Sequence, residues 1–454
     1  MDFDAILIGS GQAAVPLAGR LARNGKRVLL VERGELGGTC VNSGCTPTKT
    51  IIASARAAHV ARTAGRLGVR AGEVTVDLAA VVDRKDALVG KWRKAVAAEL
   101  EGERLRVARG HARLVGAREI DVGGERHRAD TIVIDVGARP VVPRIDGLDQ
   151  VAWLDNGKLL NLRELPSHLI VIGGSFVGCE LGQAFRRFGA AVTVIDHEKH
   201  LMAKEDPEAS VELEAVFRKE GIDLRLGARV TRVAPAPHGA DVFLDGGDTI
   251  AGSHLLVAVG RRPNTDDLGC DAAGITLNAH GFIPVDDHYK TNVEGIYAVG
   301  DVTGGPQFTH TAWDDYRLLY DVLAGHPSRP RSGRVIPRVA FTDPQVAGVG
   351  LTEREARERG IPYELATRPF RAIARAAEVD EKAGVVRILV DPSSERILGA
   401  TIVGAEAGEL LHSLVALMQA GASARALVDA EIAHPTFAEG LQSALMSLPR
   451  FRLD

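Results

Sequence analysis

The feature that most constrains the fold is a unit that occurs twice along the chain. In each copy a short apolar strand runs into a glycine turn, a helix follows, and a second strand ends at an acidic residue. The first copy runs from Gly9 to Glu32 and the second from Gly173 to Asp196, 23 positions in each. This order of elements is typical of Rossmann-type dinucleotide-binding units and is far more specific than an isolated glycine pattern. The sequence therefore predicts two such units.

The glycine turns supply candidate residues for binding two dinucleotides. In such units the pyrophosphate binds at the helix start, and the terminal acid binds the ribose hydroxyls. Ala14 takes the third glycine position of the first turn, which the pattern allows, whereas Ser175 replaces the middle glycine of the second turn and departs from it. The expected contacts are Gly9, Gly11, Ala14 and Glu32 in the first unit, and Gly173, Ser175, Gly178 and Asp196 in the second.

A second constraint is the glycine-rich stretch Gly37–Lys49, which carries two cysteines. Four residues separate Cys40 from Cys45, and in an undistorted helix that spacing leaves the α-carbons beyond disulfide reach, so the first turn must deform. Pro47 indicates a helix that follows, and a helix N-terminus would lower the pKa of the Cys45 thiol. A disulfide takes up electrons in pairs, as redox cofactors deliver them. Two unconnected core cysteines are the alternative, which the glycines, proline and lysine at fixed offsets disfavour.

Composition argues against several classes of protein. The 454 residues are enough for three or four domains, and a net charge of −4 without a basic patch argues against a nucleic-acid partner. Because no apolar run approaches membrane-spanning length, no membrane association is expected. Four cysteines and the lack of a recognisable leader segment lead us to expect a reducing, cytoplasmic environment, where a cysteine pair is more often catalytic than structural.

The stretch Gly37–Lys49 resembles the redox-active segment of the class I FAD-dependent pyridine nucleotide–disulfide oxidoreductases, which include dihydrolipoamide dehydrogenase, glutathione reductase and mercuric reductase. The resemblance extends over essentially the whole chain. It implies an α/β fold with two Rossmann-like dinucleotide-binding domains and a C-terminal α+β dimerisation domain. The change to strands and then helices after about Val335 fits that last domain.

The resemblance also sets the expected domain boundaries. Residues 1–148 would form the first part of the FAD-binding domain, and residues 268–334 its second, central part. Residues 149–267 would bind NAD(P)H, and residues 335–454 would form the dimerisation domain. In this family the active site is shared between subunits, so we expect a homodimer that needs both chains for activity.

Further cofactor residues follow from the resemblance alone. Gly38 and Thr39, next to the first cysteine, would contact FAD. Gly300 and Asp301 stand in a segment that is similar to the family's second FAD motif, which implies that Asp301 binds the ribityl chain. Phe176 aligns with the aromatic residue that gates the nicotinamide pocket in relatives, and an ordinary core phenylalanine is the alternative.

Two residue pairs are implied to work beside the flavin. Lys49 and Glu180 have the family's offsets from the second cysteine and from the second glycine turn, and they would tune the charge beside flavin N5. Cys45 would be the thiol nearest the flavin, and Cys40 would attack the substrate. In this scheme the Cys40–Cys45 disulfide opens and closes once in each turnover.

The segment Ala433–Glu439 resembles the family's His-Pro-Thr-x-x-Glu dyad. Reducing a disulfide requires a proton for the thiolate that leaves, and His434, oriented by Glu439, would supply it to the cysteine pair of the other subunit. Glu439 can also complete a capping box with Thr436 as the N-cap of the next helix, and the two interpretations are compatible.

The nicotinamide cofactor is expected to be NADH. Asp196 would hydrogen-bond a free 2′-hydroxyl and repel a 2′-phosphate. The neighbouring His197, Lys199, His200 and Lys204 could soften that repulsion, so NADPH is the alternative.

The electron acceptor is constrained least. A small-molecule disulfide ranks first because His434 supplies the acid that thiol chemistry needs. A mercuric- or copper-reductase-like metal-ion reductase ranks second, since the chain lacks a metal-binding domain at its start and a vicinal cysteine pair before Asp454. A non-catalytic redox-sensing flavoprotein subunit is the third interpretation. No resident metal site is expected, and no role is assigned to Cys179 or Cys270.

Overall fold

The structure is a computed structural model that describes residues 2–452. Met1, Leu453 and Asp454, on which the expectations for the two chain ends partly depend, lie outside the described residues. The strands are, in chain order, β1 (Phe3–Ile8), β2 (Val28–Glu32), β3 (Leu105–Arg109), β4 (Ala112–Gly116), β5 (Glu119–Val122), β6 (Glu125–Ile134), β7 (Ala138–Pro140), β8 (Trp153–Leu154), β9 (His168–Ile172), β10 (Ala191–Asp196), β11 (Asp223–Leu226), β12 (Val230–Ala236), β13 (Gly239–Leu244), β14 (Thr249–Gly252), β15 (His254–Val257), β16 (Arg261–Pro263), β17 (Ile296–Ala298), β18 (Arg338–Ala340), β19 (Gln345–Gly350), β20 (Glu364–Pro369), β21 (Val385–Val390) and β22 (Ile397–Gly404).

The α-helices are, in chain order, α1 (Ala14–Arg23), α2 (Gly38–Asn42), α3 (Cys45–Thr63), α4 (Leu78–Glu99), α5 (Asn156–Leu159), α6 (Phe176–Phe188), α7 (Pro207–Lys219), α8 (Thr309–Leu323), α9 (Glu353–Glu358), α10 (Ala374–Glu378), α11 (Ala407–Ala420), α12 (Arg425–Val428) and α13 (Glu439–Leu445). A short 3-10 helix, Gly300–Thr303, lies between β17 and α8. Within the described residues, no helix combines the length and apolarity needed to cross a membrane.

The chain divides into two units. The first comprises the chain up to Thr50, Ala80–Val141 and Gly260–Arg334, and the second comprises Ile51–Ala79, Val142–Val259 and the part after Val335. The expected domain boundaries at residues 148 and 267 lie a few residues beyond the breaks at Val141 and Val259. The assignment of these segments to FAD, NAD(P)H and dimerisation stays a prediction.

The first unit is built on a predominantly parallel sheet. Strands β3, β2, β1 and β6 lie side by side in that order with all neighbours parallel, and β17 adds to the far edge of β6. The first half of β6 instead pairs antiparallel with β5, which continues to β4. Most residues of β1 and β2 are buried, and successive residues of a strand point to opposite faces of the sheet. Both strands are therefore largely continuous apolar runs, as is typical of parallel strands. The predicted Rossmann arrangement is confirmed here.

The second unit repeats this arrangement and adds an antiparallel sheet. Strands β11, β10, β9, β15 and β8 are all parallel. A three-stranded sheet of β12, β13 and β14, which the sequence analysis did not anticipate, stands between β11 and β15 in the chain. Its inward side chains, including Val233 and Val242, join the core beneath the parallel sheet.

The C-terminal segment forms an antiparallel sheet in the order β18, β19, β22, β21, β20, with α11 and α13 against it. The predicted hairpin of β21 and β22 is confirmed, and the Asp391 carboxylate closes its turn by accepting hydrogen bonds from the backbone N–H groups of Ser393 and Ser394. Buried apolar side chains of both layers form one core. The α+β fold expected for this segment is therefore observed.

Candidate active site

The two cysteines lie in two separate helices. Cys40 is half-buried in α2, and Cys45 is the exposed first residue of α3. The deformation expected from their spacing is a break at Gly44, where a Cβ atom would lie 2.8 Å from the carbonyl oxygen of Thr39. Only glycine fits that close approach, so the break is built into the sequence. The helix begins at Cys45 and not at Pro47, which places this thiol at the positive end of the helix dipole.

The environment of the two thiols is asymmetric. A hydrogen bond with Cys45 and burial both raise the pKa of Cys40 well above its usual value. Cys40 therefore stays protonated unless a base removes its proton. The hydroxyl of Thr309, the first residue of α8, opposes that shift, and its oxygen lies 3.2 Å from the sulfur of Cys45. Sequence reasoning missed Thr309 because its contact with Cys45 spans 264 positions and depends on the tertiary fold.

The glycines of the first unit form a cradle that fits the pyrophosphate of FAD. Gly9 has a φ of +99°, and a Cβ atom there would lie 2.3 Å from the carbonyl oxygen of Asp135. A Cβ atom on Gly38 would lie 3.0 Å from the α-carbon of Gly11, so the two backbones are in contact at the start of α1. Glycine backbone without side chains at a helix N-terminus lets an anionic pyrophosphate approach the free N–H groups and the positive end of the helix dipole. Ala14 is the buried first residue of α1.

The acids that close the two units make the same internal bond. Glu32 Oε2 accepts a hydrogen bond of 2.9 Å from the N–H of Ser10, which follows the first glycine of its unit. Asp196 Oδ2 accepts the equivalent bond from the N–H of Gly174. Both carboxylates are thereby fixed beside their glycine turns, and in Rossmann-type folds an acid at this position binds ribose hydroxyls.

The segment expected to form the second FAD motif is held by hydrogen bonds and ion pairs. Gly300, with a φ of +69°, donates its N–H to Asp315 Oδ2 at 2.9 Å. Burial raises the pKa of the neighbouring Asp301, and the guanidinium of Arg261, whose Nε lies 4.0 Å from Asp301 Oδ2, opposes that shift. Thr39 is exposed, and its hydroxyl oxygen lies 3.5 Å from Nη2 of the same Arg261. Neither Asp315 nor Arg261 was singled out from the sequence.

The second glycine turn is packed more tightly than the first. A Cβ atom on Gly178 would lie 1.8 Å from the carbonyl oxygen of Gly173, and one on Gly173 would lie 2.4 Å from that of Ala258. Gly178 therefore allows α6 to pack against its strand, the role of the third glycine in the pattern. Ser175 is the exposed N-cap of α6, and Phe176 is its half-buried first residue.

Lys49 and Glu180 are found in different units. Lys49 is half-buried in α3 and belongs to the first unit. Glu180 is buried in α6 of the second unit, where its Oε1 accepts a hydrogen bond of 2.8 Å from the backbone N–H of Phe341. Their expected pairing stays a prediction.

His434 and Glu439 are brought together as the dyad spacing predicts. The imidazole Nδ1 lies 2.8 Å from Glu439 Oε1, and this contact raises the pKa of His434. Glu439 Oε2 accepts a hydrogen bond of 2.9 Å from the N–H of Thr436, and this bond and the histidine lower the pKa of Glu439. The imidazole itself is largely exposed, with 68% of its side-chain surface open to solvent.

The capping interpretation of this segment is wrong in one respect. The helix α13 begins at Glu439 with Ala438 as its N-cap, so Thr436 is not the cap. The Thr436 hydroxyl donates instead to the carbonyl oxygen of Ala433 at 2.8 Å. Only the half of the capping box that runs from the backbone of Thr436 to the Glu439 carboxylate is formed. Among residues 2–452, no group of three or more His, Cys, Asp or Glu side chains is arranged to hold a metal ion.

The chain matches two family models and many known proteins. The model described as pyridine nucleotide-disulphide oxidoreductase matches residues 3–315, and that of the same family's dimerisation domain matches residues 336–445. A mercuric reductase of Lysinibacillus sphaericus is 34% identical over 99% of this chain and 83% of that protein. A dihydrolipoyl dehydrogenase of Thermus scotoductus is 35% identical over 98% of this chain and 97% of that protein. The solved Cu(II) complex of HOCl-induced flavoprotein disulfide reductase RclA from Escherichia coli superposes with a TM-score of 0.90 at 32% identity, covering 99% of this chain and 100% of that one.

Proposed function

The chain belongs to the FAD-dependent pyridine nucleotide–disulphide oxidoreductases, and we propose that it reduces a small-molecule disulfide with electrons from NADH. The net reaction balances as NADH, one proton and one disulfide giving NAD⁺ and two thiols. The chain would use the Cys40–Cys45 pair as its redox disulfide. The match to the dimerisation domain supports a homodimer.

The observation that carries this proposal is the His434–Glu439 contact of 2.8 Å. With Nδ1 held by the carboxylate, Nε2 is the ring nitrogen left to exchange a proton with sulfur. Because the contact raises the pKa of His434, the imidazolium persists to higher pH than an isolated histidine would. An acid of this kind protonates the thiolate that leaves when a disulfide is cleaved, which a metal ion taking up electrons does not require.

The asymmetry of the thiols supports different roles for them. Cys40, whose pKa is raised, needs a base to become a nucleophile, and we propose that the partner's His434 is that base. Cys45, at a helix start and next to the Thr309 hydroxyl, is the thiol that retains negative charge in the reduced pair. One subunit alone would then lack a proton donor for its own cysteine pair.

The cofactor residues are proposed as follows. Gly9, Gly11, Ala14, Glu32, Gly38, Thr39, Gly300 and Asp301 would hold FAD, and Gly173, Ser175, Phe176, Gly178 and Asp196 would hold the nicotinamide nucleotide. When bound, FAD supplies a two-electron carrier between the nicotinamide and the disulfide. Lys49 and Glu180 would set the charge beside it. Asp196, already fixed by the N–H of Gly174, would bind a free 2′-hydroxyl and repel a 2′-phosphate, which favours NADH over NADPH.

Metal-ion reduction is the second candidate, because relatives are named mercuric reductases and the RclA structure is a Cu(II) complex. Cys40 and Cys45 are soft ligands that could bind such an ion as substrate. In that case the same cysteine pair would act without the proton chemistry of His434. The role of the histidine therefore separates the two candidates.

A stopped-flow panel distinguishes them. Enzyme reduced with NADH is mixed with lipoamide, oxidised glutathione, other small disulfides, quinones, Hg(II) or Cu(II), and the reoxidation of the enzyme is followed. We expect rapid reoxidation by at least one disulfide, lost in Cys40→Ser and strongly slowed in His434→Ala. Rapid reoxidation by metal ions alone, unaffected by His434→Ala, would establish metal-ion reduction instead. No NADH oxidation with any acceptor would indicate a non-catalytic flavoprotein.

A further inference from the structure

The two nucleotide-binding units differ at the residue whose carbonyl oxygen faces the first glycine of the turn, which is buried in the first unit and half-buried in the second. In the first unit the segment Asp135-Val136-Gly137 follows β6, and in the second unit Ala258-Val259-Gly260 follows β15. The carbonyl oxygen of Asp135 opposes the first glycine of its turn as that of Ala258 does in the second, with distances of 2.3 Å and 2.4 Å to a Cβ atom built on Gly9 and Gly173. Asp135 and Ala258 are therefore equivalent, and the first unit carries a carboxyl group where the second carries a methyl group.

The Asp135 carboxyl packs against the glycine turn that is proposed to bind FAD. Its Oδ2 accepts a hydrogen bond of 2.8 Å from the N–H of Ala14, the first residue of α1. A Cβ atom on Gly11 would lie 2.6 Å from that same oxygen, and one on Gly300 would lie 2.9 Å from Oδ1. The carboxyl thus touches the glycine turn and the second FAD segment together, and it is buried.

This contact explains the departure of the second unit from the glycine pattern. Where Asp135 is present the middle turn residue is Gly11, whose missing side chain leaves room for the carboxyl oxygen. Where the equivalent residue is Ala258, the middle turn residue is Ser175, which carries a Cβ atom. The smaller middle residue, Gly11, thus occurs with the larger Asp135, and the larger Ser175 occurs with the smaller Ala258.

The surroundings of Asp135 favour its neutral form. Burial, together with the carboxylates of Asp301, in the 3-10 helix, and Asp315, in α8, raises its pKa to about 8, against the hydrogen bonds from the backbone of Ala14 and Ala13. The nearby arginines are engaged with those two acids. Arg334 Nη1 lies 2.8 Å from Asp315 Oδ1, and Arg261 Nε lies 4.0 Å from Asp301 Oδ2.

We propose that Asp135 is a positioning residue of the FAD site that supports cofactor binding as a neutral carboxylic acid and weakens it once ionised. The neutral group satisfies the first N–H of α1 without adding charge where the pyrophosphate binds. The ionised group places a third carboxylate beside Asp301 and Asp315 and repels the anion at the helix start. The proposal depends on FAD binding in the first unit and not on the identity of the electron acceptor.

The first test measures the FAD affinity of the apoprotein against pH, with quenching of flavin fluorescence as the readout. For the wild type we expect Kd to be constant near neutral pH and to rise above about pH 8. The rise should approach tenfold per pH unit as long as Asp135 stays protonated in the FAD-bound protein. In Asp135→Asn, a neutral isostere, that rise should vanish. A wild-type Kd independent of pH from about 6 to about 9.5 would overturn the proposal whatever the variants do. An equal rise in Asp135→Asn would overturn it too.

The second test exchanges the two arrangements in a double-mutant cycle. Gly11→Ser alone should weaken FAD binding at least tenfold, because its Cβ atom meets the carboxyl oxygen. Adding Asp135→Ala, which reproduces the combination found at Ser175 and Ala258, should restore most of that loss. Binding of NADH to the second unit serves as the folding control. If the double variant binds FAD no better than Gly11→Ser alone, so that the two substitutions act independently on Kd, the proposed contact between Gly11 and Asp135 would be contradicted.

Discussion

The hydroxyl oxygen of Thr309 lies 3.2 Å from the sulfur of Cys45, and each residue is the first of its helix. Helices α3 and α8 therefore both begin at this contact, and the positive ends of both helix dipoles lie there. The arrangement stabilises negative charge on Cys45. The hydrogen bond to Cys45 and burial raise the pKa of Cys40, so we expect the reduced pair to carry its negative charge on Cys45.

Replacing Thr309 tests this polarisation. In Thr309→Val the side chain keeps its shape but loses its donor, and we expect the pH at which reduced Cys45 loses its proton to rise by about one unit. Thr309→Ser keeps the donor and should behave like the wild type. The measurement is the pH dependence of the long-wavelength absorption that a thiolate gives beside oxidised flavin. Identical titrations in the valine and serine variants would show that the hydroxyl does not act on this sulfur.

Glu439→Gln tests the dyad through its pH dependence. The contact with the Glu439 carboxylate raises the pKa of His434, so the imidazolium survives to higher pH in the wild type. The amide keeps the shape but removes the charge, and we expect the alkaline fall in disulfide reduction to begin at lower pH. Oxidation of NADH by ferricyanide, which needs no thiol protonation, is the control and should not change. An unshifted profile for the disulfide would remove Glu439 from the mechanism.

Gly178→Ala tests the second nucleotide unit, and the same helix offers its own control. A Cβ atom at Gly178 would lie 1.8 Å from the carbonyl oxygen of Gly173, a backbone atom that cannot move aside. We expect NADH binding to weaken more than tenfold while FAD content is retained. At Gly182, one turn further along α6, the nearest atom lies at an ordinary 3.5 Å, so Gly182→Ala should bind NADH normally. Equal NADH affinity in both variants would contradict the close approach.

Asp196→Ala tests the choice of nicotinamide nucleotide. Removing the carboxylate should lower kcat/KM for NADH and raise it for NADPH, shifting their ratio at least tenfold. His197→Ala is the companion variant, because Nδ1 of His197 lies 3.2 Å from Asp196 Oδ1 and could soften the repulsion of a 2′-phosphate. Equal or better use of NADPH by the wild type would refute the preference for NADH.

The regular parts of the fold could be predicted because their signals are local. Strand β5 (Glu119–Val122) has the bounds that its alternation of polar and apolar residues indicates. Strand β21 (Val385–Val390) has the bounds that its mainly apolar run indicates. The sheet of β12, β13 and β14 was missed because its strands are short and interrupted by Pro235, Gly239 and the pair Gly246-Gly247. The Cys40–Cys45 segment and the His434–Glu439 dyad were found because their spacing along the chain is itself distinctive.

The parts of the site that could not be predicted are held by contacts between distant positions. Thr309 meets Cys45 across 264 positions, and Asp135 meets Ala14 across 121. Asp135 was not among the residues expected at the site. The role proposed for Asp135 depends on the short distance between its carboxyl group and Gly11, and no spacing along the chain predicts that distance.

The most direct measurement of the central claim is an anaerobic titration with NADH, followed by absorption, in the wild type, Cys40→Ser and Cys45→Ser. We expect the wild type to take up two electrons with the appearance of a long-wavelength thiolate band. Cys40→Ser should show that band without any reduction, and Cys45→Ser should not show it at all. A band that survives Cys45→Ser, or a wild type that bleaches directly with no thiolate band, would contradict the claim that the Cys40–Cys45 pair is the redox partner of the flavin.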